Sequence, residues 1–236
     1  MRPVRGVLVD LDDTLYPQAE FLGLAWFAVA ERGARLGLDR DRLHAALPAA
    51  AAGGSARGGI IDEAVRRIRG NAELVPELVA AFHAVQPHRL TPFPGVRAAL
   101  RELRSRVPVA VVTDGAVAGQ RAKLTALGLD DAFDAVVLSD GWGREFRKPH
   151  PRPFRTALTL LGVDAADAVM IGDRPDKDIV GAARVGIRGI RVRTGEYRSR
   201  PDHPDTWLSA RTFADAVLTL PASEPRGYPR RAATPA

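Results

Sequence analysis

Short apolar runs alternate with helix-like segments along most of this chain, and each run ends at a polar turn. Short apolar runs bounded by turn residues are typical of strands that are buried on both faces. The runs cover residues 4–9, 107–112, 135–138, 168–171 and 187–192. The helix-like segments between the later runs cover residues 96–106, 117–126, 153–161 and 175–185. Alternation of this kind predicts an α/β fold, with a parallel sheet between two layers of helices.

Residues 17–91 interrupt this alternation. They contain four helical patterns, over residues 19–36, 40–47, 60–69 and 73–85, and no convincing strand. We therefore predict a three-layer, Rossmann-like core formed by residues 1–16 and 92–220. Residues 17–91 are predicted to form an inserted, all-helical cap. The Pro-rich, basic residues 221–236 are predicted to be a disordered tail.

Two aspartates follow the first apolar run, in the stretch Val9-Asp10-Leu11-Asp12. In an extended chain the side chains of residues i and i+2 point to the same side, so Asp10 and Asp12 are expected to face one site. Neighbouring carboxylates repel each other, and a cation or a proton must lie between them. A hard cation with a preference for oxygen ligands, such as Mg²⁺, suits this pair.

Polar residues also follow the later runs. Ligands of open parallel sheets bind beyond the carboxyl ends of the strands, so these residues are expected to lie near Asp10. Each type suits phosphate chemistry, as a hydroxyl, a backbone amide, an ammonium group or a carboxylate. They are Thr113, Asp114 and Gly115 after the second run, Lys148 after the third, and Asp173 and Asp178 after the fourth.

These four segments, in this order, resemble the four motifs of the haloacid dehalogenase-like hydrolase superfamily. The helical insert after the first motif is similar to the first type of cap in the phosphatase branch of that superfamily. The resemblance covers roughly residues 4–196. It implies that Asp10 is the nucleophile, which forms an aspartyl-phosphate. It also implies that Asp12 is the acid/base that protonates the leaving oxygen and later deprotonates water.

The resemblance implies roles for the other candidates too. Asp10, the backbone carbonyl of Asp12, and Asp173 would hold Mg²⁺, with Asp176 as a second choice of ligand. Asp178 would support Lys148 or the metal site. The phosphoryl group would be bound by Thr113, by the amides near Asp114 and Gly115, and by Lys148.

The leading function is hydrolysis of a small phosphorylated metabolite by a Mg²⁺-dependent phosphatase. A phosphosugar mutase, which would use the same residues, and a non-catalytic module that binds a phosphorylated ligand are alternatives. Carbon–halogen hydrolysis is disfavoured because that branch lacks the second aspartate, and Asp12 is present here. His83, His88 and Arg89, at the end of the cap, are candidates to face the substrate, although a solvated helix end and hinge is the favoured interpretation. The substrate and the oligomeric state stay open.

Composition limits the partners. The formal net charge is +6, but the basic residues are spread along the chain and nearly all are arginine. Lysine occurs only as Lys123, Lys148 and Lys177, so we interpret the charge as a compositional bias and expect no nucleic-acid partner. The absence of cysteine excludes disulfides and thiolate metal sites. No apolar run reaches the length of a membrane span, and we expect a cytoplasmic protein that does not bind membranes.

Overall fold

The computed structural model describes residues 3–55 and 57–221, and within them the strands form one six-stranded parallel sheet. The order across the sheet is β3-β2-β1-β4-β5-β6. The strands are β1 (Gly6–Val9), β2 (Val109–Thr113), β3 (Ala135–Leu138), β4 (Ala168–Gly172), β5 (Arg188–Val192) and β6 (Thr206–Ala210). The first five are the predicted strands, and the α/β fold is confirmed. The predicted tail lies, apart from Pro221, outside the described residues.

Helices cover both faces of the sheet. Alternate residues of β1 belong to different apolar clusters: Val7 and Val9 pack with residues of one face, and Leu8 packs with residues of the other. The first face is covered by α5 (Val96–Arg106), α6 (Val117–Ala126) and α9 (Phe213–Thr219). The second is covered by α7 (Pro151–Leu161) and α8 (Val180–Ala183). Because both faces of β1 are buried, every residue of this strand is apolar or glycine.

Four helices lie between β1 and α5, in the region predicted to be helical. They are α1 (Gln18–Arg35), α2 (Arg40–Ala51), α3 (Ile60–Arg67) and α4 (Val75–His83). Their apolar faces pack together in a cluster of their own, which includes Trp26, Leu43, Leu47, Ile61 and Leu78. Asp39 caps α2 by accepting a hydrogen bond from the amide of Arg42 at 3.0 Å.

The prediction of one helix over residues 175–185 is wrong in detail. A single π-helical turn, Pro175–Ile179, comes first and runs into the short helix α8. The amides of Asp178 and Ile179 both donate to the carbonyl of Arg174, which widens the turn. This widening accompanies the burial of Asp178, and π turns of this kind occur often at functional sites.

The fold has one strand, β6, and one helix, α9, that the sequence patterns did not indicate. Over the described ranges, none of the helices has both the length and the apolar character that crossing a membrane requires.

Candidate active site

The carboxyl ends of three neighbouring strands and one loop bring the predicted site residues together. Asp10 follows β1, Thr113 is the last residue of β2, and Asp173 follows β4. Lys148 enters from the loop between β3 and α7. These four residues are buried, and all of them line one cavity. The strand order explains this convergence, because β1 lies between β2 and β4.

The ammonium group of Lys148 is at the centre of the site. Its Nζ donates to Asp10 Oδ1 at 2.5 Å, to Asp178 Oδ1 at 2.7 Å and to the carbonyl of Val112 at 3.0 Å. Burial alone would favour the neutral amine, but the Asp10 and Asp178 carboxylates raise the pKa of Lys148 above its usual range. Lys148 is therefore a fixed positive charge beside Asp10.

Three carboxylates form a compact group with an excess of negative charge. Asp10, Asp173 and Asp178 each place an oxygen within 4.8 Å of the other two. Burial raises the pKa of Asp10 to about 7, although Lys148 opposes this shift. Burial, with repulsion from Asp10 and Asp178, also raises the pKa of Asp173 well above its usual range. A bound cation would relieve both effects.

The oxygen atoms of this group fit Mg²⁺. Among the described residues, Asp173 Oδ1 is a buried acceptor with no hydrogen-bond partner. Mg²⁺ prefers carboxylate and carbonyl oxygen ligands, and the group offers such ligands. Asp176, the second choice of ligand, lies apart from it: its carboxylate pairs with Arg174 at 2.9 Å and is 56% exposed. Asp178, rather than Asp176, is the further acid at this site.

Asp12 lines the same cavity, but its carboxylate has partners of its own. It accepts hydrogen bonds from Lys123 Nζ at 2.7 Å, from Gln120 Nε2 at 3.0 Å and from the Tyr16 hydroxyl at 2.5 Å. Burial would raise the pKa of Asp12, but the charge of Lys123 and these hydrogen bonds outweigh it and lower the pKa. In this arrangement Asp12 is held as a carboxylate.

The segment after β2 combines one available hydroxyl with groups that are already engaged. Within the described part of the chain, Thr113 Oγ1 is buried and makes no hydrogen bond. The Asp114 carboxylate accepts from the Lys148 amide at 3.0 Å and pairs with Lys177 at 3.1 Å. The Gly115 amide, which the resemblance assigns to phosphate, donates to Asp140 at 3.2 Å. The Thr113 hydroxyl is thus free to bind a ligand.

A cavity of about 310 Å³ separates these residues from the helices α1, α3 and α4. The helices contribute mostly apolar side chains to its wall: Phe21, Leu22, Trp26, Ile60, Ile61, Val79 and Phe82. Of the three candidates from the predicted cap, His83 lines this cavity. Arg89 lines a different depression, and His88 lines neither.

The turn that follows Asp10 is braced by the segment that follows β5. Asp13 has a left-handed backbone (φ 58°), and its carboxylate accepts from the amides of Gln18 and Glu196. The hydroxyl of Thr194 donates to the Asp13 carbonyl. A β-carbon on Gly195 would overlap the Asp13 side chain, so the close approach requires glycine there. Asp13 therefore has a structural role.

The sequence patterns missed Lys123 and Gln120, which lie on α6 rather than at a strand end. One feature of the sequence, the scarcity of lysine, could have pointed to Lys123. The chain has three lysines among 34 basic residues, and each of the three pairs with an acid at this site. Lys123 pairs with Asp12, Lys148 with Asp10, and Lys177 with Asp114. In a chain that otherwise uses arginine, a retained lysine indicates a place where a compact charge is needed.

Comparisons with known proteins relate this chain to one family of hydrolases. A family model described as haloacid dehalogenase-like hydrolase matches residues 4–186. A glyceraldehyde 3-phosphate phosphatase from Methanopyrus kandleri is 37% identical over 231 residues, which cover 92% of this chain and 98% of the relative. A phosphoserine phosphatase from Thermus thermophilus is 37% identical over 157 residues, which cover 66% of this chain and 61% of the relative.

Solved structures share the fold. The crystal structure of a phosphatase from Thermococcus onnurineus superposes with a TM-score of 0.67 and 24% identity, and the match covers 92% of this chain and 99% of that one. This likeness concerns the fold alone. It confirms the predicted architecture of a parallel sheet between two layers of helices.

Proposed function

This chain belongs to the haloacid dehalogenase-like hydrolase family and is a phosphatase of that family; on this premise we propose that it hydrolyses small phosphomonoesters through an aspartyl-phosphate on Asp10, with Mg²⁺ as cofactor. The observation that carries the proposal is the surrounding of Asp10. This buried carboxylate lies 2.5 Å from the Lys148 ammonium and next to Asp173, which has a free buried oxygen in the described structure.

In the first step, a carboxylate oxygen of Asp10 attacks phosphorus, and the bond from phosphorus to the leaving oxygen breaks. Lys148 offsets the negative charge that gathers on the phosphoryl group, and the free hydroxyl of Thr113 donates to one of its oxygens. Asp12 gives its proton to the leaving oxygen. A phosphate dianion beside Asp12 favours the protonated carboxyl that this step requires, because like charges repel.

In the second step, Asp12 accepts a proton from water, and the water oxygen attacks phosphorus. The bond between Asp10 and phosphorus breaks, so the Asp10 carboxylate is regenerated and inorganic phosphate is released. After the first step Asp12 is a carboxylate, and the charge of Lys123 keeps it ionised against burial, so it is in the form that accepts this proton.

Asp10, Asp173 and the backbone carbonyl of Asp12 would hold Mg²⁺, and Asp178 would support them. When bound, the ion would reduce the repulsion between the nucleophile and the phosphoryl oxygens. The fit rests on the compact carboxylate group and on the unpartnered Asp173 oxygen in the described part of the chain.

Residues 17–91 act as a cap over the site formed by residues 1–16 and 92–220. Two observations support this division: the helices α1–α4 have their own apolar cluster, and they form the outer wall of the cavity. A cavity of about 310 Å³ suits a phosphoryl group with a small leaving group. The two relatives described above are named for three-carbon phosphate esters, and small esters of this size are the substrates we propose.

The test is release of nitrophenol from para-nitrophenyl phosphate, with Mg²⁺ and with chelator. We expect Mg²⁺-dependent turnover that disappears in Asp10→Asn. Asp178→Asn should be strongly impaired, whereas Asp176→Asn, which changes an exposed acid outside the carboxylate group, should keep most of the activity. Equal turnover in wild type and Asp10→Asn would contradict the proposal.

A panel of esters then distinguishes the alternatives. Glyceraldehyde 3-phosphate and phosphoserine test for a small-ester phosphatase, and sugar 1-phosphates test for a mutase. Release of phosphate supports hydrolysis, whereas transfer to a second hydroxyl of the sugar supports the mutase. Binding of phosphate esters without turnover supports the non-catalytic module.

A further inference from the structure

Lys123 pairs with Asp12, the acid/base candidate, rather than with Asp10, the proposed nucleophile. It is on α6, its side chain is 6% exposed, and its Nζ lies 2.7 Å from Asp12 Oδ1 and 3.0 Å from Oδ2. A buried ammonium group is costly unless a charged partner compensates for it. Asp12 is that partner.

The two oxygens of Asp12 are held by different sets of donors. The Tyr16 hydroxyl donates to Oδ1, and Gln120 Nε2 donates to Oδ2. Of these three donors, Lys123 alone is charged and alone reaches both oxygens. Hydrogen bonds from a charged donor are stronger than those from neutral donors, so Lys123 contributes most to holding the Asp12 carboxylate in this orientation.

The same ammonium group contacts the helical insert. Lys123 Nζ lies 4.3 Å from the centre of the Phe21 ring, a distance typical of a cation–π interaction. Phe21 is on α1 and is itself buried. Lys123 therefore connects α1, in the outer wall of the cavity, with Asp12, in its floor. A lysine suits this place because its charge is compact and its stem is flexible.

We propose that Lys123 is a positioning residue that holds the Asp12 carboxyl in the orientation needed to exchange a proton with the leaving oxygen. Phe21 keeps the ammonium group in place when α1 covers the cavity. This inference rests on the proposed function, because it takes Asp12 as the acid/base of phosphomonoester hydrolysis.

The test compares a poor leaving group with a good one in Lys123→Met, which keeps the length and apolar volume of the stem. An alkyl leaving group, as in glycerol 3-phosphate, depends on protonation far more than nitrophenolate does. General acid catalysis contributes about 10²–10⁴-fold, so we expect kcat/KM for glycerol 3-phosphate to fall about tenfold more than for para-nitrophenyl phosphate. An equal fall for both esters would overturn the inference and leave Lys123 a structural role.

A double-mutant cycle gives a second, independent readout. If Lys123 acts through Asp12, Lys123→Met should have little further effect on nitrophenyl phosphate turnover in an Asp12→Asn background. Independent losses that simply add would overturn the inference. Lys123→Gln, which keeps one hydrogen-bond donor, serves both tests if the methionine variant does not fold by circular dichroism. Lys177→Met, whose lysine pairs with Asp114 instead, is the matched control, and its ratio between the two esters should equal that of the wild type.

The outcomes separate this inference from the function it rests on. No turnover of any ester by the folded wild type would refute both. Turnover that needs Asp10, with an unchanged ratio between the two esters in the Lys123 variants, would refute only the positioning role.

Discussion

Without Mg²⁺, this protein should be less stable at about pH 8 than at about pH 5, because buried acids such as Asp10 have raised pKa values. The carboxyl of an unfolded chain loses its proton near pH 3.8, whereas burial raises the pKa of folded Asp10 to about 7. Between these values the folded protein binds a proton that the unfolded chain does not. Stability from this group is therefore complete at low pH and is lost as the pH rises through about 7.

The expected size follows from the pKa difference. Between the two pKa values, each pH unit lowers the free energy of unfolding by about 1.4 kcal/mol. The loss is therefore about 3 kcal/mol from pH 5 to pH 7, and it changes little from there to pH 8. Asp10 is 5% exposed, and screening by water reduces this little. The pKa of Asp173 is also raised by burial and adds a loss of the same sign. For a chain of this size, about 3 kcal/mol corresponds to a fall in Tm of about 6–12 °C.

Acids with a lowered pKa do not obscure the effect. The pKa values of Asp12 and Asp140 are lowered, by Lys123 and by Arg147 respectively, against the opposing effect of burial. These acids are ionised in both the folded and unfolded states over this interval, so their contribution stays constant across it. The acids with raised pKa values therefore dominate the change among these groups.

The assay is thermal unfolding between about pH 5 and pH 8, in chelator and in millimolar MgCl₂. Because Mg²⁺ binds ionised carboxylates and protons compete with it, the increase in Tm on adding Mg²⁺ should be larger at pH 8. Asp10→Asn is the control, since an amide does not ionise and the fall in chelator should be smaller. A Tm in chelator that stays constant or rises over this interval would refute the reasoning.

Three substitutions test packing, each by urea unfolding. Gly172→Ala should cost about 1–3 kcal/mol, because its β-carbon would overlap the Asp178 carboxylate, and it should also weaken Mg²⁺ binding. Gly23→Ala, in α1, meets nothing within 4 Å and should instead stabilise by about 0.5–1 kcal/mol. Arg191→Met should cost about 1–3 kcal/mol and expose the segment near Tyr197 to proteases, since this fully buried guanidinium donates to the Tyr197 carbonyl. A change of the opposite sign would contradict each argument.

Most elements of the fold could be predicted because their signals are local. The bounds of α5 and α6 are those that the sequence indicated, since Gly95 and Gly128 mark where one begins and the other ends. The last strand and helix could not. β6 is a partly exposed edge strand without a continuous apolar run, and it is defined by its pairing with β5 rather than by its own residues.

The residues of the site also divide into those with a local signal in the sequence and those without one. Asp10, Lys148 and Asp173 could be predicted because each follows a strand, and parallel strands end at a common edge. Lys123 could not be assigned in this way, because it reaches Asp12 through the packing of α6 against the first turn. The two residues are 111 positions apart, and no local pattern relates them.

The position of β1 has a consequence for the order of folding. Val7, in the first strand of the chain, pairs with Val109 on one side and Val169 on the other, so both neighbours lie more than a hundred residues further along. Contacts between such distant residues form slowly, whereas the contacts among α1–α4 are close in sequence. During synthesis the helical insert is expected to become compact first, because β1 stays unpaired until β2 and β4 have been synthesised. The part of the chain that covers the cavity would then form before the sheet that carries Asp10.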